Sequence, residues 1–311
     1  MNIHFLEHKD INMQKWDECI DGSVNVLPYA YSWYLDTVSP SWKAIVDDGY
    51  QAVFPLTGKQ KYGVHYLAQP PFTQQLGLFA KCLISEELLS EFINKIPAFY
   101  KLVEINLNAF NKPGKIPYKT LEYINLELPL LASYEQISKG YSKNLKRNLK
   151  KARQKDLHLV SQVNPAEVIR MFRLNRGRHI KTLKKNDYLT LEQLIYKMGK
   201  RGYVELHGVF TGRSSLCAAA VFIRSKHRLI FLFSALNDEG RQVGAMPFLL
   251  DEVIRKFSGK TMILDFEGSN DANLARFYRS FGANEVKYPV LRDNSLSWAE
   301  RWALKLLKRV K

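Results

Sequence analysis

The chain has 311 residues, of which 46 % are hydrophobic and 24 % charged, a composition that suits two folded domains and excludes disorder as the main state. No run approaches the roughly 18–20 consecutive apolar residues that span a membrane. The N-terminal residues lack the basic and apolar regions of a secretory signal, and the three cysteines form no CxxC pair. We therefore expect a cytoplasmic protein.

The charge is unevenly distributed along the chain. Residues 1–135 contain 11 Lys and Arg against 15 Asp and Glu, a net charge of −4. Residues 136–311 contain 35 against 15, a net charge of +20. A basic half of this size favours a polyanionic partner, such as a nucleotide, a tRNA, an anionic lipid head group or a diphosphate-linked precursor.

The first half of the chain predicts mixed helix and strand. Hydrophobic periodicity predicts helices over Met13–Asp21, Tyr31–Val38 and Ser85–Tyr100. Short β-rich runs predict strands over Trp42–Val46, Gln51–Leu56, Val64–Leu67 and Leu102–Leu107.

Two features of this half are candidates for binding a substrate. Two consecutive prolines fix an extended turn that carries Gln69, Gln74 and Gln75, whose amides suit a peptide or a sugar. Tyr31 and Trp33 are aromatic side chains that can line the same site. The alternative is a structural proline turn beside a core helix.

A domain boundary is predicted near Ser133, where the charge changes sign. We expect one domain over residues 1–132 and a second over residues 133–311, opened by a basic helix at 134–155. Leu145 and Leu149 give that helix an apolar face, while Lys143 and Arg147 lie on a charged face suited to phosphate. The alternative is a solvated helix face.

The second half repeats the order of helices, consecutive strands and a closing helix–strand–helix–strand series. Helices are predicted over Ala166–Lys184, Thr190–Gly202, Val243–Phe257 and Asn270–Phe281. Strands are predicted over Tyr203–Phe210, Ser215–Ile223, Arg228–Ala235, Met262–Phe266 and Glu285–Leu291. The shared order suggests two copies of one α/β fold.

Several common catalytic motifs are absent from the sequence. It contains no GxxxxGK[ST] phosphate loop, no GxGxxG, no HExxH and no GxSxG. The seven histidines show no metal-ligand spacing. We therefore expect no metal and no tightly bound cofactor.

The stretch from Ser234 to Ala283 carries the clearest functional signal. A strand leads into a glycine-bearing turn that opens a helix, so free N–H groups near Val243–Met246 can hold a phosphate or a carboxylate. A second strand then delivers Glu267 and Ser269 to a loop. Glu267 is our candidate general base, because the strand end places its carboxylate beside the predicted cleft.

The helix after this loop resembles the closing helix of the GNAT acyltransferase superfamily. Asp271, Leu274, Tyr278 and Gly282 occupy the spacings of the family's Asn, Ala, Tyr and Gly. The resemblance implies a mixed α/β fold and a role for Tyr278 as general acid. A phenol suits this role, since its pKa near 10 allows it to give a proton to a developing anion.

The donor-binding signature of that superfamily is present in altered form. Arg241, Gly244 and Met246 stand at its three defined places, and Met246 replaces a small residue. We expect the Met246 side chain to crowd a diphosphate. On this resemblance we assign donor binding to Arg241, Gln242, Val243, Gly244, Ala245 and Asn273.

The basic helix is similar to the one that opens the second domain of Fem-type transferases, which are tandem GNAT-like proteins. That resemblance implies transfer of an acyl or aminoacyl group to an amine, for example in a cell-wall precursor peptide. The donor is then an acyl-CoA, an acyl carrier or an aminoacyl-tRNA. We assign substrate binding to Tyr31, Trp33, Gln69, Gln74, Gln75, Lys143, Arg147, Arg176, Arg178 and Ser234.

Two other functions stay open at this point. The net charge of +20 on residues 136–311 also suits a nucleic-acid-binding protein without catalysis, although no recognisable binding motif is present. The altered donor signature also fits a degenerate transferase that acts as a scaffold. The segment 298–311 is a basic amphipathic pattern that either docks on the protein or lies at a membrane surface.

Overall fold

A computed structural model describes residues 2–180, 182–212, 215–268, 270–298 and 300–301. The chain divides into two compact units. The first covers the chain up to Tyr123 and resumes at Lys287, and the second is Ile124–Val286. These limits differ from the predicted domains 1–132 and 133–311, because the last strand returns to the first unit.

The first unit contains two groups of strands. Strands β1 (Ile3–Leu6), β2 (Lys43–Asp47), β3 (Ala52–Leu56) and β6 (Phe79–Ala80) form an antiparallel sheet in that order. The second group consists of β4 (Gly58–Lys61), β5 (Val64–Leu67), β7 (Tyr100–Asn106) and the end of β14 (Asn284–Asn294). Because β5 and β7 are parallel, the chain crosses between them through α3 (Glu86–Asn94).

Helices α1 (Met13–Gly22) and α2 (Ser32–Val38) complete this unit. The predicted helix Ser85–Tyr100 is shorter than expected, because Asn94 is its last residue and Pro97 cannot continue it. Strand β1 and most of β8 (Lys119–Pro129) are absent from the sequence-based prediction.

The second unit is built on one mixed sheet. It contains β9 (Leu157–Ser161), β10 (Val204–Thr211), β11 (Ser215–Arg224), β12 (Arg228–Leu236) and β13 (Ile263–Asp265), followed by the end of β8. From β9 to β12, each strand is antiparallel to the next, whereas β13 runs parallel to β12. The connection between β12 and β13 is formed by α8 (Asp238–Val243) and α9 (Ala245–Phe257).

The predicted basic helix is two helices rather than one. Helix α4 (Tyr134–Lys139) ends at Gly140, and α5 (Lys143–Ala152) begins after Ser142, whose hydroxyl accepts a hydrogen bond from the N–H of Leu145 at 3.2 Å. A serine N-cap starts a new helix at this point, so the periodicity continues across a break in the backbone.

The next predicted helix, Ala166–Lys184, is also interrupted. Helix α6 (Pro165–Leu174) is followed by a 3₁₀ turn over Arg176–His179, and α7 (Lys185–Lys200) follows separately. A Cβ atom at Gly177 would lie 2.9 Å from the Tyr188 hydroxyl and 3.0 Å from the Phe172 carbonyl oxygen, so this turn favours a glycine. The break places Arg176 on this 3₁₀ turn rather than inside a long helix.

One hydrophobic core joins the sheet of the second unit to α5, α9 and α10 (Ala272–Arg279). Leu145, Leu149 and Ala152 of α5 are buried there, which confirms the predicted apolar face of the basic helix. In the part of the chain that the structure describes, no helix is long and apolar enough to cross a bilayer. Most of the predicted segment 298–311 lies outside the described residues.

The packing of α8 against the sheet yields a stability prediction. A Cβ atom at Gly240 would lie 2.3 Å from the backbone carbonyl oxygen of Cys217, a contact that requires the backbone to move. Gly240→Ala should therefore lower the free energy of unfolding by about 2 kcal/mol or more, within the range of overpacked cores. Denaturant unfolding measures this loss.

The matched control is Gly199→Ala in α7. Its Cβ would meet only Val204 Cγ1 at 3.7 Å, and alanine is the better helix former. This variant should be neutral or more stable by up to about 1 kcal/mol. Equal losses in the two variants would contradict the tight packing of α8.

Candidate active site

The candidate site of the second unit lies where two neighbouring strands separate. The pairing of β12 with β13 covers only three residues of each strand and ends at Ile230 and Asp265. Beyond this point β12 continues to Leu236 with an irregular register, while β13 is followed by a loop that carries Glu267. Ser234 lies on the continuing part of β12, opposite Ala220 of β11.

Glu267 has a left-handed backbone, with a φ of 52°. This conformation is uncommon for a residue other than glycine, and it is found where the surroundings enforce it. Here the N–H of Glu267 donates to Asp265 Oδ1 at 2.9 Å. The loop immediately after β13 is thus held by a side chain from the end of the strand. The neighbouring candidate Ser269 lies outside the described residues.

Tyr278 lies on α10 with only 8 % of its surface exposed. Its ring stacks on Phe266, with the centroids 4.9 Å apart and the planes at 16°, and meets the edge of Phe231 at 6.2 Å. The residue is thus part of the core and also the neighbour of Glu267, which follows Phe266. The sequence predicts catalysis by Tyr278, and the structure adds a packing role for its ring.

The electrostatics of Tyr278 identify its charged neighbours. Burial is the main reason that the pKa of Tyr278 is raised to about 12, and the Glu267 carboxylate contributes to this increase. Arg176 opposes this increase, and Asp271 adds to it. Two of the predicted site residues, Glu267 and Arg176, therefore act on a third, Tyr278. The phenol is fully protonated at neutral pH.

Asp271 has a structural role at the start of α10. Its Oδ1 accepts hydrogen bonds from the N–H groups of Asn273 at 2.8 Å and Leu274 at 3.1 Å, and these bonds lower the pKa of Asp271. Asn273, a predicted donor-binding residue, accepts a hydrogen bond from Arg276 at 2.5 Å and is exposed. Asp271 thus fixes the beginning of the helix that carries Tyr278.

The predicted donor loop is largely helical. Arg241, Gln242 and Val243 lie within α8, and the N–H groups of Arg241 and Gly244 already donate to the carbonyls of Asn237 and Gly240. Gly244 has a left-handed backbone, with a φ of 73°, and connects α8 to α9. The expectation of free N–H groups near Val243–Met246 is therefore wrong for Gly244.

Ala245 and Met246 begin α9, and among the described residues no backbone acceptor is bonded to their N–H groups. The Met246 side chain is 7 % exposed and belongs to the hydrophobic core. The expectation that it crowds a diphosphate is wrong, because α9 turns this side chain toward the sheet. The Arg241 guanidinium forms an ion pair with Asp238.

The basic helix α5 is fixed at both ends. The N–H of Ser142 donates to the carbonyl of Ser280 at 2.8 Å, immediately after α10. At the other end Arg153 forms an ion pair with the fully buried Asp251 of α9. A Cβ atom placed at Gly244 would lie 3.5 Å from the Cβ atom of Ala152. Helix α5 therefore packs beside the start of α9.

The outer face of α5 is exposed and mostly uncompensated. Lys143, Arg147, Lys150 and Lys151 have no carboxylate within ion-pair distance among the described residues. Arg147 donates only to Asn144 Oδ1 at 2.8 Å. Arg178, like Arg176, is exposed on the 3₁₀ turn. This face keeps its positive charge available for an external anion.

The substrate-binding candidates of the first unit have mixed outcomes. Gln69 donates to Thr73 O at 3.0 Å and accepts from Asn106 N–H, and Gln75 is buried and bonds to Gln74 and Ala109. These amides hold the proline turn against the protein, contrary to the expectation that they face a substrate.

The aromatic candidates of that unit do lie together. Tyr31 and Trp33 stack, with ring centroids 6.3 Å apart and planes at 17°. Tyr31 is buried and donates to Asp21 at 3.0 Å, while Trp33 is half-buried. Their role in binding stays a prediction.

Comparison with known proteins finds a family model that matches most of the second unit. Residues 139–272 match the model of the acetyltransferase (GNAT) domain. This segment is therefore similar to a GNAT acetyltransferase domain. This match includes the basic helix, the start of α9 and Glu267. A search of curated proteins finds no match.

Solved structures with similar folds extend the comparison to nearly the whole chain. FemX is 12 % identical, with a TM-score of 0.63 over 93 % of this chain and 97 % of FemX. The C-terminal domain of an Agrobacterium fabrum protein named as a lysylphosphatidylglycerol synthetase is 9 % identical, with a TM-score of 0.56 over 94 % and 96 %. A GNAT acetyltransferase from Colwellia psychrerythraea is 14 % identical, with a TM-score of 0.52 over 94 % and 100 %.

These similarities confirm the predicted fold class, an α/β protein with a two-domain GNAT-like architecture. At these identities the solved structures bear on the fold alone. In the described part of the chain, no group of three or more His, Cys, Asp and Glu is arranged to hold a metal ion.

The electrostatic influence of Glu267 on Tyr278 yields a prediction. Glu267→Gln should lower the pKa of Tyr278, because the negative charge that opposes its ionisation is removed. The pKa should stay above the ordinary value near 10, since burial is the larger cause. Nuclear magnetic resonance of ¹³C-labelled tyrosine measures it, with Tyr278 assigned by the signal lost in Tyr278→Phe.

Glu239→Gln is a suitable control, because Glu239 binds Thr211 and Ser215 rather than Tyr278. This variant should leave the Tyr278 titration unchanged. An unchanged titration in Glu267→Gln as well would show that the two side chains do not interact.

Proposed function

We propose that the GNAT domain transfers an acyl or aminoacyl group to an amine, with Glu267 as general base and Tyr278 as general acid. The observation that carries this proposal is the electrostatic influence of Glu267 and Arg176 on Tyr278, whose ring stacks on Phe266 just beyond the end of the β12–β13 pairing. A base and an acid beside one open strand edge suit the attack of an amine on an activated ester. Positioning of the two substrates supplies the rest of the rate enhancement.

The high pKa of Tyr278 bears on the leaving group. A phenol with a pKa of about 12 gives its proton uphill to a thiolate, whose conjugate acid has a pKa of about 8.5. Transfer to the alkoxide of an ester leaving group, which is a stronger base than a thiolate, is much less uphill. This difference supports an oxygen ester as the donor, as in an aminoacyl-tRNA. A thiolate needs no general acid in order to leave.

The exposed cations of the second unit support the same donor. Lys143, Arg147 and Lys151 follow one face of α5, and Arg176 and Arg178 continue the positive charge on the 3₁₀ turn. A polyanionic carrier is bound through several phosphates at once, and such binding depends steeply on salt. The acceptor amine we propose is that of a peptide, including the peptide of a cell-wall precursor.

A second donor is supported by the start of α9. The N–H groups of Ala245 and Met246 point out of a 13-residue helix next to Gly244, which is a suitable arrangement for one phosphate of an acyl-CoA. Pro247 removes a third N–H from this helix start. An acyl-CoA is therefore the second candidate.

The general acid can be tested with Tyr278→Phe. This variant keeps the ring and its stacking on Phe266, so it should fold, while turnover should fall by about 10²–10⁴. The assay follows release of free tRNA from aminoacyl-tRNA, and of free thiol from acyl-CoA, with a panel of amines and peptides. Circular dichroism checks the fold.

Phe277→Leu is a control for loss of packing on the same helix, since Phe277 is partly buried and carries no acid group. It should retain turnover within a few-fold. If Tyr278→Phe retains it as well, the hydroxyl does not act as the acid. Release from neither donor by the wild-type protein would contradict the transferase function.

The basic face can be tested by replacing Lys143, Arg147 and Lys151 together by Gln. Affinity for tRNA should fall, and the slope of log affinity against log salt should become shallower by about 2, because phosphate contacts are lost. Filter binding at several salt concentrations measures both quantities.

The matched control replaces Lys59, Lys61 and Lys95 of the first unit by Gln. It removes the same charge from exposed positions far from α5 in sequence. We expect it to leave the salt slope unchanged. The same slope in both triple variants would mean that tRNA responds to net charge rather than to α5.

A further inference from the structure

The strongest unassigned feature of the second unit is a buried cluster of charged side chains at the root of the candidate site. Arg228 Nη1 donates to Glu127 Oε1 at 2.7 Å and to Asp265 Oδ2 at 2.8 Å. The three side chains come from three adjacent strands, β12, β8 and β13. Asn125 donates to Glu127 Oε1 at 3.1 Å.

This cluster is buried to an unusual degree. The side chain of Asp265 is 2 % exposed, that of Glu127 12 % and that of Arg228 16 %. Charges in such surroundings are costly unless they are paired and hydrogen-bonded, and replacing them with apolar residues often stabilises a protein. Stability alone therefore does not explain why three charged residues occupy this place.

The two carboxylate oxygens of Asp265 accept hydrogen bonds from different groups. Oδ2 binds Arg228, whereas Oδ1 accepts the N–H of Glu267 at 2.9 Å. Because Arg228 holds the carboxylate in one orientation, Oδ1 is aimed at the backbone two residues ahead. That backbone has the left-handed conformation, which is unfavourable for a residue with a side chain unless its surroundings hold it. The neighbouring Phe266 N–H donates to Leu126 O at 2.9 Å and fixes the strand end.

We propose that Asp265, oriented by Arg228, is a positioning residue that holds the left-handed turn at Glu267 and thereby directs the Glu267 carboxylate toward Tyr278. This inference rests on the proposed function for its catalytic consequence, because it acts through the proposed base. Its structural part can be tested without any substrate.

The first test is the titration of Tyr278 in the variants of Asp265. Asp265→Val keeps a strand-forming side chain of similar size but removes the acceptor for the Glu267 N–H. It should lower the pKa of Tyr278 as much as Glu267→Gln does, since the carboxylate is no longer directed at the phenol. Asp265→Asn retains an acceptor oxygen and should cause a clearly smaller fall.

The control is Glu127→Gln. It perturbs the same Arg228 but leaves the bond between Asp265 and the Glu267 N–H in place, so the Tyr278 titration should match that of the wild type. An Asp265→Val variant that is folded and titrates like the wild type would overturn the proposal. Equal shifts in Asp265→Val and Glu127→Gln would overturn it too, because the effect would then be a general one.

Amide hydrogen exchange of the wild-type protein makes the test independent of whether Asp265→Val folds. The Glu267 N–H is bonded to a buried carboxylate, so it should exchange at least about tenfold more slowly than the adjacent Gly268 N–H, as expected for an amide protected by local structure. Exchange at the same rate for both would overturn the proposal.

Kinetics supply the third test once a donor and an acceptor are identified. Asp265→Val should lower kcat with little change in KM for the donor, and in a Glu267→Gln background it should cause no further loss, because both changes act on the same group. A full additional loss in that background would show that Asp265 acts elsewhere. If the wild type transfers no acyl group, the proposed function fails while the titration and exchange results still decide the position of Glu267.

Discussion

The second unit depends on one buried ion cluster. Strand β13 is only three residues long, and it lies between β8 and β12 with Asp265 facing Arg228. Such a short strand gains little from its own ladder. The bonds of Arg228 to Asp265 and Glu127 therefore hold β8, β12 and β13 together at the point where β12 and β13 begin to separate. The loop that carries Glu267 and helix α10 both follow β13, so their positions depend on this ion cluster.

Separation of the strands and burial of the charges are two consequences of the same arrangement. Pairing ends at Asp265, so the loop that carries Glu267 is free to depart from the sheet in a left-handed turn. Helix α10 then returns and stacks Tyr278 on Phe266. A hydrophobic core and a polar site share one side chain here: the ring of Tyr278 packs, while its hydroxyl lies within the influence of Glu267 and Arg176.

The basic helix α5 illustrates a different division of roles. Its apolar residues enter the same core, its first N–H bond is made to the end of α10, and its last turn is bound to α9 through Arg153. The two ends of α5 thus make structural contacts with α9 and α10. Lys143 and Arg147 on its outer face are exposed. A cationic surface that is held rigidly beside the site can orient a polyanionic substrate as well as attract it.

The sequence by itself determined the fold class and the apolar face of α5, and it led to the prediction of Glu267 and Tyr278 as site residues, because periodicity and motif spacing are local properties of the chain. It did not determine the break at Gly140, the helical donor loop or the burial of Met246, since these depend on caps and on which side of α9 meets the sheet. Only the tertiary structure joined Arg228 to Asp265, 37 residues apart in sequence, because their pairing requires two strands that lie parallel.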